Sequence, residues 1–258
     1  MNRITELFQN KKDGILSIFA TAGFPERDNT MDVLEVLQEN GVDLIELGMP
    51  FSDPLADGPV IQNSSSVAIE KGMDLKTLFH QIEGFRSKIK VPVILMGYVN
   101  TVMQYGIEKF CKKCEEVGID GVILPDLPFF EYQSTYKSLF DQHGLLNVFL
   151  ITPQTSEERI KMLDQASEGF LYLVSSASTT GSTKVMNNVE DYLARIQGLK
   201  LKSNSLVGFN IKDKKSYQMA CKYSDGAIIG SAFIKAIDPK EASGDLKKDI
   251  SNFVSSIR

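Results

Sequence analysis

The chain has 258 residues, of which 43% are hydrophobic, and a formal net charge of −5. This length allows one large core, and we expect a single domain over residues 1–258, since no linker is visible; two small domains are the alternative. The negative charge and the scattered lysines argue against a protein that binds the phosphate backbone of nucleic acids.

The N-terminal stretch, residues 1–12, has Ile4, Leu7 and Phe8 at helical spacing and predicts an amphipathic helix that lies on the domain. It lacks the continuous apolar run of a signal peptide. No apolar run in the sequence approaches the roughly 20 residues that span a bilayer. We therefore expect a soluble, cytoplasmic protein.

Short apolar runs recur along the rest of the chain, with helical segments between them. Most are apolar on both faces, which is typical of parallel strands covered on both sides. Eight alternations predict an α/β fold, a (β/α)8 TIM barrel with an N-terminal helix and extra short helices in the loops after strands 2 and 8. An open doubly wound sheet is the alternative. The runs are GILSIFA, VDLIELG, VPVILMGY, DGVILPD, LNVFLIT, FLYLVSS, SLVGFNI and DGAIIGS.

Two connections differ from the others in length and composition. SDPLADGPVIQNSSS follows the second strand, and SASTTGSTKVMNN, rich in Ser, Thr and Gly, follows the sixth. Long loops in compact domains are usually functional, and active sites of barrels lie on the loops that follow the strands. Both loops are therefore predicted to lie at the same mouth of the barrel.

An acid, Glu46, interrupts the apolar second strand. Side chains alternate across a strand, so Glu46 faces into the barrel if Ile45 and Leu47 pack under the outer helices. Partial desolvation there raises the pKa of the carboxyl toward neutrality, which suits it to give and take a proton. A salt-bridged structural glutamate is the alternative.

The loop after Glu46 combines stiff and hinged positions. Three prolines fix φ locally, whereas Gly48 and Gly58 permit turns that other residues resist, and this mixture predicts a flap with hinges. Asp53 and Asp57 lie on the flap. Either of them could cap the loop as an Asx residue or contact a ligand, and the spacing does not decide between these roles.

The stretch ELGMPFSDPLADGPVIQ resembles the signature of the tryptophan synthase alpha chain family, and the likeness runs in order from about Ile15 to Ile234. It implies retro-aldol cleavage of indole-3-glycerol phosphate to indole and D-glyceraldehyde 3-phosphate, a step of L-tryptophan biosynthesis. By this resemblance Glu46 is the catalytic acid/base and Asp57 the second catalytic carboxylate. The implied partner is a pyridoxal-phosphate beta chain in an α2β2 tetramer, with no cofactor in this chain.

Phosphate is expected at the loops that follow the last strands. In such barrels the loops after strands seven and eight often bind phosphate, and backbone N–H groups reach an anion most easily where side chains are absent, as at Gly230 and Ser231. The resemblance adds Gly181 at the phosphate and Thr180 against the flap aspartate. Asn210 replaces a family glycine; it tolerates left-handed backbone, but weaker phosphate binding or altered loop closure is expected.

Apolar side chains from several strands are expected to surround the indole ring, with Tyr98 nearby. Each of them alone is more often plain core. Tyr172 shares a strand face with Phe170 and Val174, which turns it inward beside Glu46. The expected wall residues are Phe19, Met96, Ile123, Ile151, Tyr172 and Phe209.

Other reactive residue types carry weaker signals. Cys111 and Cys114 have the spacing of a redox or zinc half-site, but no second pair exists, so core packing is the expectation. The two histidines, His80 and His143, have no metal-type ligands beside them, and no metal site is predicted. No phosphate-binding glycine loop of the nucleotide-binding types follows the first strand.

Loop departures leave other functions open. Ser176 stands where many relatives have Arg, and Ser178 replaces a loop glycine. With Asn210, these changes are compatible with a catalytically impaired regulatory subunit that activates a PLP-dependent beta chain. Another phosphosugar barrel enzyme, such as an epimerase, would share the phosphate site but not the flap acids. For the lyase, the candidate partner surface is Met49, Pro50, Asp53, Pro54 and Pro59 with residues 103–109.

Overall fold

The eight apolar runs form parallel strands in a computed structural model of the chain, which describes residues 1–175, 189–208 and 210–258. The fifth run is divided into two short strands, which gives nine strands within these described ranges. The strands are β1 (Ile15–Thr21), β2 (Leu44–Gly48), β3 (Val93–Met96), β4 (Gly121–Ile123), β5 (Leu146–Asn147), β6 (Phe149–Ile151), β7 (Phe170–Val174), β8 (Asn204–Gly208) and β9 (Gly226–Ile229).

Strand pairing closes this sheet into a barrel. The order is β5-β4-β3-β2-β1-β9-β8-β7-β6, and every pair is parallel. Strands β5 and β6 are separated by Val148 alone, so they are two halves of one barrel strand that pairs with β4 on one side and β7 on the other. The predicted (β/α)8 barrel is confirmed, and the doubly wound sheet is excluded.

Helices alternate with the strands, as predicted. Two helices follow β2 and two follow β9, which confirms the extra helices expected after the second and eighth barrel strands. Across the described helices, none has the combination of length and apolar character needed to pass through a lipid bilayer. The helices are α1 (Arg3–Asn10), α2 (Thr30–Glu39), α3 (Pro59–Glu70), α4 (Leu75–Gln81), α5 (Val99–Tyr105), α6 (Ile107–Val117), α7 (Phe129–Glu131), α8 (Lys137–Gln142), α9 (Glu157–Ala166), α10 (Val189–Gly198), α11 (Lys214–Cys221), α12 (Ser231–Ala236) and α13 (Leu246–Ile257), with a π-helical turn at Tyr132–Tyr136 and 3₁₀ turns at Arg27–Asn29 and Phe85–Ser87.

Apolar side chains form two cores, one on each face of the sheet. Ile45 and Leu47 pack between β2 and the outer helices, whereas Leu44 belongs to the core inside the barrel. Alternation therefore turns Glu46, which shares the parity of Leu44, into the lumen. The outer core is the larger of the two, and it fixes the strands that present the inner face.

Helix α1 closes one end of the barrel. Ile4 and Phe8 belong to the inner core, and the ring of Phe8 lies 5.7 Å from that of Phe170. The expected amphipathic helix on the domain is therefore confirmed, and its apolar side covers one end of the inner core. Arg3 fixes α1 to the barrel, because its Nη1 lies 2.9 Å from the buried carboxylate of Asp120, just before β4. The opposite end of the barrel, where the strands finish, is left for a ligand.

Candidate active site

Glu46 lies inside the barrel on the inward face of β2, between Phe19 of β1 and Ile94 of β3. Its side chain is 0% exposed. Burial raises the pKa of the Glu46 carboxyl to about 8. A hydrogen bond from Ser17 acts in the opposite direction and is the weaker influence. No cation among the described residues contributes to the pKa of Glu46. Within that part of the chain, the alternative of a salt-bridged structural glutamate is therefore not supported.

Ser17 is the direct partner of Glu46, and sequence reasoning missed it. Its Oγ donates to Oε1 of Glu46 at 3.1 Å, and Ser17 is itself fully buried. Oε2 of Glu46 has no hydrogen-bond partner among the described residues. The available signal was the alternation along β1, which gives Ser17 the same inward parity as Ile15 and Phe19.

Asp57 comes to the same mouth on the flap between β2 and α3. The hydroxyl of Tyr98 donates to Asp57 Oδ2 at 3.1 Å and accepts the backbone N–H of Ala56 at 2.9 Å. Burial raises the pKa of Asp57 to about 6, against a smaller lowering by the Tyr98 hydrogen bond. Asp53, by contrast, is exposed and accepts a hydrogen bond from the neighbouring Ser52. The structure thus distinguishes the two aspartates, whose roles the sequence spacing could not decide: Asp57 lies at the mouth and Asp53 faces solvent.

A pocket lies between the flap and the ends of β1, β2 and β3. The inward position above Glu46 on β2 is Gly48, and the ring of Phe19 lies over it, so the pocket borders on the buried acid. The rings of Phe51 and Tyr98 stack at 5.2 Å beside the flap. The pocket is lined by Phe19, Gly48, Met49, Phe51, Pro54, Asp57, Ile61, Ser65, Met96, Gly97, Tyr98 and Pro125.

Tyr172 and Ile123 also belong to the inner core, as the alternation of their strands requires. Burial raises the pKa of the Tyr172 phenol, and the charges of Glu46 and Asp57 raise it further, which puts its ring near both acids. Ile151 was predicted as a wall residue, but it packs in the outer core. The inward residue of β6 is Leu150.

The expected phosphate residues are only partly described. Helix α12 begins at Ser231, and a Cβ placed on Gly230 would lie 3.5 Å from Cβ of Phe19, so Gly230 adjoins a wall of the flap pocket. Asn210 has φ +59°, the left-handed conformation that the sequence anticipated. The remaining residues of this prediction lie outside the described residues: Thr180, Gly181 and Phe209, together with Ser176 and Ser178.

The weaker signals are structural. Cys111 and Cys114 are free thiols buried in the outer core, which confirms the packing expectation, and burial raises the pKa of Cys111 to about 12. His143 lies 2.7 Å from the carboxylate of Glu115. Within residues 1–175, 189–208 and 210–258, no three His, Cys, Asp or Glu side chains are grouped so that they could hold a metal ion.

A parallel barrel with one carboxyl buried in its lumen and a second on a flap at its mouth places the chain in the class of TIM-barrel enzymes. Comparisons with known proteins give the family. The family model described as tryptophan synthase alpha chain matches residues 5–256, and this chain belongs to that family.

Relatives match over their whole length. The tryptophan synthase alpha chain of Flavobacterium johnsoniae is 52% identical, and that of Flavobacterium psychrophilum 51%, with 100% of both chains covered in each case. The crystal structure of tryptophan synthase subunit alpha from Legionella pneumophila superposes with a TM-score of 0.88 at 32% identity, over 100% of this chain and 97% of that one.

The family fixes the reaction. The protein is a lyase that cleaves indole-3-glycerol phosphate to indole and D-glyceraldehyde 3-phosphate, the alpha reaction of L-tryptophan biosynthesis. An alpha chain implies a beta-chain partner, and alpha chains do not themselves bind pyridoxal phosphate.

Proposed function

We propose that Glu46 and Asp57 together carry the alpha reaction, Glu46 as the group that moves protons and Asp57 as the group that stabilises charge. The observation that carries this proposal is the burial of Glu46 in the lumen, with a pKa raised to about 8. A carboxyl with such a pKa is mostly neutral near pH 7, so it can act as an acid first and as a base afterwards.

Cleavage requires two proton movements. Indole C3 gains a proton, and the hydroxyl on the neighbouring glycerol carbon loses one. Neutral Glu46 protonates C3; its carboxylate then takes the hydroxyl proton as the carbon–carbon bond breaks. The electrons of that bond return to the ring, the oxygen becomes the aldehyde carbonyl, and Glu46 is neutral again.

Asp57 acts on the other side of the ring. As C3 is protonated, positive charge grows at the indole nitrogen. With a pKa raised only to about 6, Asp57 is mostly ionised near pH 7 and can accept a hydrogen bond from the indole N–H. This interaction is stronger in the transition state than in the bound substrate, which is the condition for acceleration. Tyr98 holds the carboxylate in place.

Substrate binding is divided between the ring and the phosphate. We infer that Phe19, Ile123, Tyr172 and Phe209 enclose the indole. The phosphate is assigned to the backbone at Gly230 and Ser231 with Gly181 and Asn210, and Thr180 is assigned to the flap aspartate. Support comes from Gly230, which adjoins Phe19 at the beginning of α12, because free N–H groups at a helix start favour an anion.

We infer an α2β2 assembly in the cytoplasm, with a beta chain that carries pyridoxal phosphate. Support comes from two exposed apolar side chains: Leu55 on the flap is 89% exposed and Met103, within the candidate segment 103–109, is 58% exposed. A beta chain that covered both side chains would remove their apolar surface from water, which favours association. We also infer that residues 1–258 act as one domain, since α1 and β9 contribute to the same inner core.

One assay tests the catalytic assignment. The isolated chain is given indole-3-glycerol phosphate, with and without a beta chain, and compared with the variants Glu46→Gln and Asp57→Asn. Loss of a general acid/base costs on the order of 10²-fold or more in kcat. Asp53→Asn, on the same flap but exposed, is the matched control for the isolated chain and should keep its rate. An unchanged rate in Glu46→Gln refutes the assignment. A parental chain that is inert yet stimulates the beta chain would instead establish the regulatory alternative.

A further inference from the structure

We infer that Ser17 is a positioning residue for the proton of Glu46: its hydroxyl occupies Oε1 and leaves Oε2 as the oxygen that exchanges protons with the substrate. This inference rests on the acid/base function proposed for Glu46. It assigns a function to a residue of β1 that the catalytic scheme above does not use.

Strand register fixes the direction from which Ser17 approaches. Strands β1 and β2 are parallel, and Ser17 is the partner of Leu44, two residues before Glu46. Ser17 therefore lies one inward level below Glu46, on the side that α1 closes. Its hydroxyl contacts Oε1 from the closed end of the barrel. The mouth side of the carboxyl is left to Oε2.

The surroundings make this single hydrogen bond important. Three apolar residues of the inner core surround the pair: Leu44 on the same strand as Glu46, Ile94 of β3, which pairs with Glu46, and Ile228 of β9, which pairs with Ser17. Among the described residues, no group makes a hydrogen bond to Oε2. In an environment of low polarity a hydrogen bond to a charged group is worth more than in water, so the Ser17 hydroxyl stabilises the ionised carboxyl more than an exposed hydroxyl would, although less than burial destabilises it.

The hydroxyl acts differently on the two protonation states. When Glu46 is neutral, donation from Ser17 requires Oε1 to be the carbonyl oxygen, so the acidic proton sits on Oε2. When Glu46 is ionised, the same hydrogen bond stabilises the carboxylate and offsets part of the effect of burial. Ser17 keeps its own proton in both states, so no net transfer through the serine is needed.

The hydrogen bond is tested without catalysis. Carbon-13 NMR of protein labelled at the glutamate carboxyls gives the titration of Glu46, whose signal is assigned by its absence in Glu46→Gln. In Ser17→Ala we expect the midpoint to rise by about one pH unit, because one donor to the carboxylate is lost. Ser17→Thr restores a hydroxyl and should titrate like the parent. Ile94→Val, which removes a methyl group from the same lumen, controls for packing. An unshifted midpoint in Ser17→Ala, or an equal shift in Ser17→Thr, overturns the inference.

A double-mutant cycle separates this inference from the proposed function. Ser17→Ala should lower kcat by about tenfold with little change in KM, and should move the alkaline limb of the kcat/KM profile upward with the carboxyl. In a Glu46→Gln background the same substitution should have no further effect. Equal losses in both backgrounds would show that Ser17 acts through packing. If Glu46→Gln itself keeps the parental rate, the proposed function fails, and the NMR result still reports on the hydrogen bond.

Discussion

The hydroxyl of Tyr98, which follows β3, donates to Oδ2 of Asp57 on the flap at 3.1 Å. The same hydroxyl accepts the N–H of Ala56, so one side chain from the barrel holds both the flap backbone and its acid. The position of the flap and the ionisation of Asp57 are therefore linked through Tyr98.

Removal of that hydroxyl should change the pH dependence of the reaction. Burial raises the pKa of Asp57 to about 6, and the Tyr98 hydrogen bond limits the increase. In Tyr98→Phe the pKa of Asp57 should increase further, and the acid limb of kcat/KM should move upward by about one pH unit. Near pH 7 the rate should then fall about twofold, because less Asp57 is ionised. Tyr136→Phe, whose ring packs on Phe140 away from the mouth, is the control. An acid limb at its parental pH in Tyr98→Phe would contradict the link.

Glu46 should destabilise the folded chain at neutral pH. Its folded pKa of about 8 exceeds the ordinary value of 4.5, so between these pH values the folded protein holds a proton that the unfolded chain has released. Stability therefore falls as the pH rises from 4.5 to 8 and is constant on either side. For this group alone the loss is on the order of 3 kcal/mol near pH 7.

Urea unfolding of the parent and of Glu46→Gln at several pH values measures this cost. As the pH rises from 4.5 to 8, we expect the free energy of unfolding of the parent to decrease relative to that of Glu46→Gln. Both proteins share all other titrating groups, so the contributions of those groups to the pH dependence cancel in the difference. If the difference between the two free energies of unfolding did not change over this range, the carboxyl of Glu46 would be ionised in the folded protein at little cost. Glu46 could then not serve as the proposed acid.

Alternation along β2 predicted the inward position of Glu46, because a single acid among apolar residues distinguishes the face toward the lumen from the face toward the outer helices. Alternation along β6 did not predict its wall residue: Leu150 and Ile151 are both apolar, and a one-residue error of phase exchanges the two faces of a strand. A strand that is apolar on both sides carries no internal marker of its phase. The error at Ile151 has this origin.

Contacts between helices and strands were the second feature that the sequence did not predict. The stripe of Ile4 and Phe8 predicted a helix, but an apolar stripe does not specify whether it covers the outside of a barrel or fills its end. Ser17 was missed for a similar reason. Its hydroxyl is informative only once the register of β1 against β2 brings it beside Glu46, and register is set by the whole sheet.

Asn210 should be replaceable by glycine with a gain in phosphate affinity. Asn210 has φ +59°, a conformation that costs an L-residue roughly 1 kcal/mol and glycine almost nothing. In Asn210→Gly we expect a slightly higher melting temperature and a KM about two- to fivefold lower, because the backbone can approach the anion more closely. Lys200→Gly is matched, since Lys200 also has a positive φ, +48°, but follows α10. It should reproduce the stability change alone. An unchanged KM in Asn210→Gly would show that the position is neutral for phosphate.

Gly208 should not tolerate even a methyl group. A Cβ at this position of β8 would lie 2.2 Å from the hydroxyl oxygen of Tyr172 and 2.4 Å from its ring, and Tyr172 is buried in the lumen. Gly208→Ala should therefore destabilise the fold by about 1 to 3 kcal/mol and lower kcat, because the displaced ring lies near both acids.

Gly198→Ala is the matched control for that substitution. No atom lies within 4 Å of a Cβ at Gly198, which ends α10, and alanine favours helix, so its stability should be unchanged or higher by up to about 1 kcal/mol. Thermal unfolding and kcat of the two variants decide the matter. If Gly208→Ala unfolds and turns over like Gly198→Ala, then Tyr172 moves aside at no cost. A ring that moves so freely could not serve as a fixed wall for the indole.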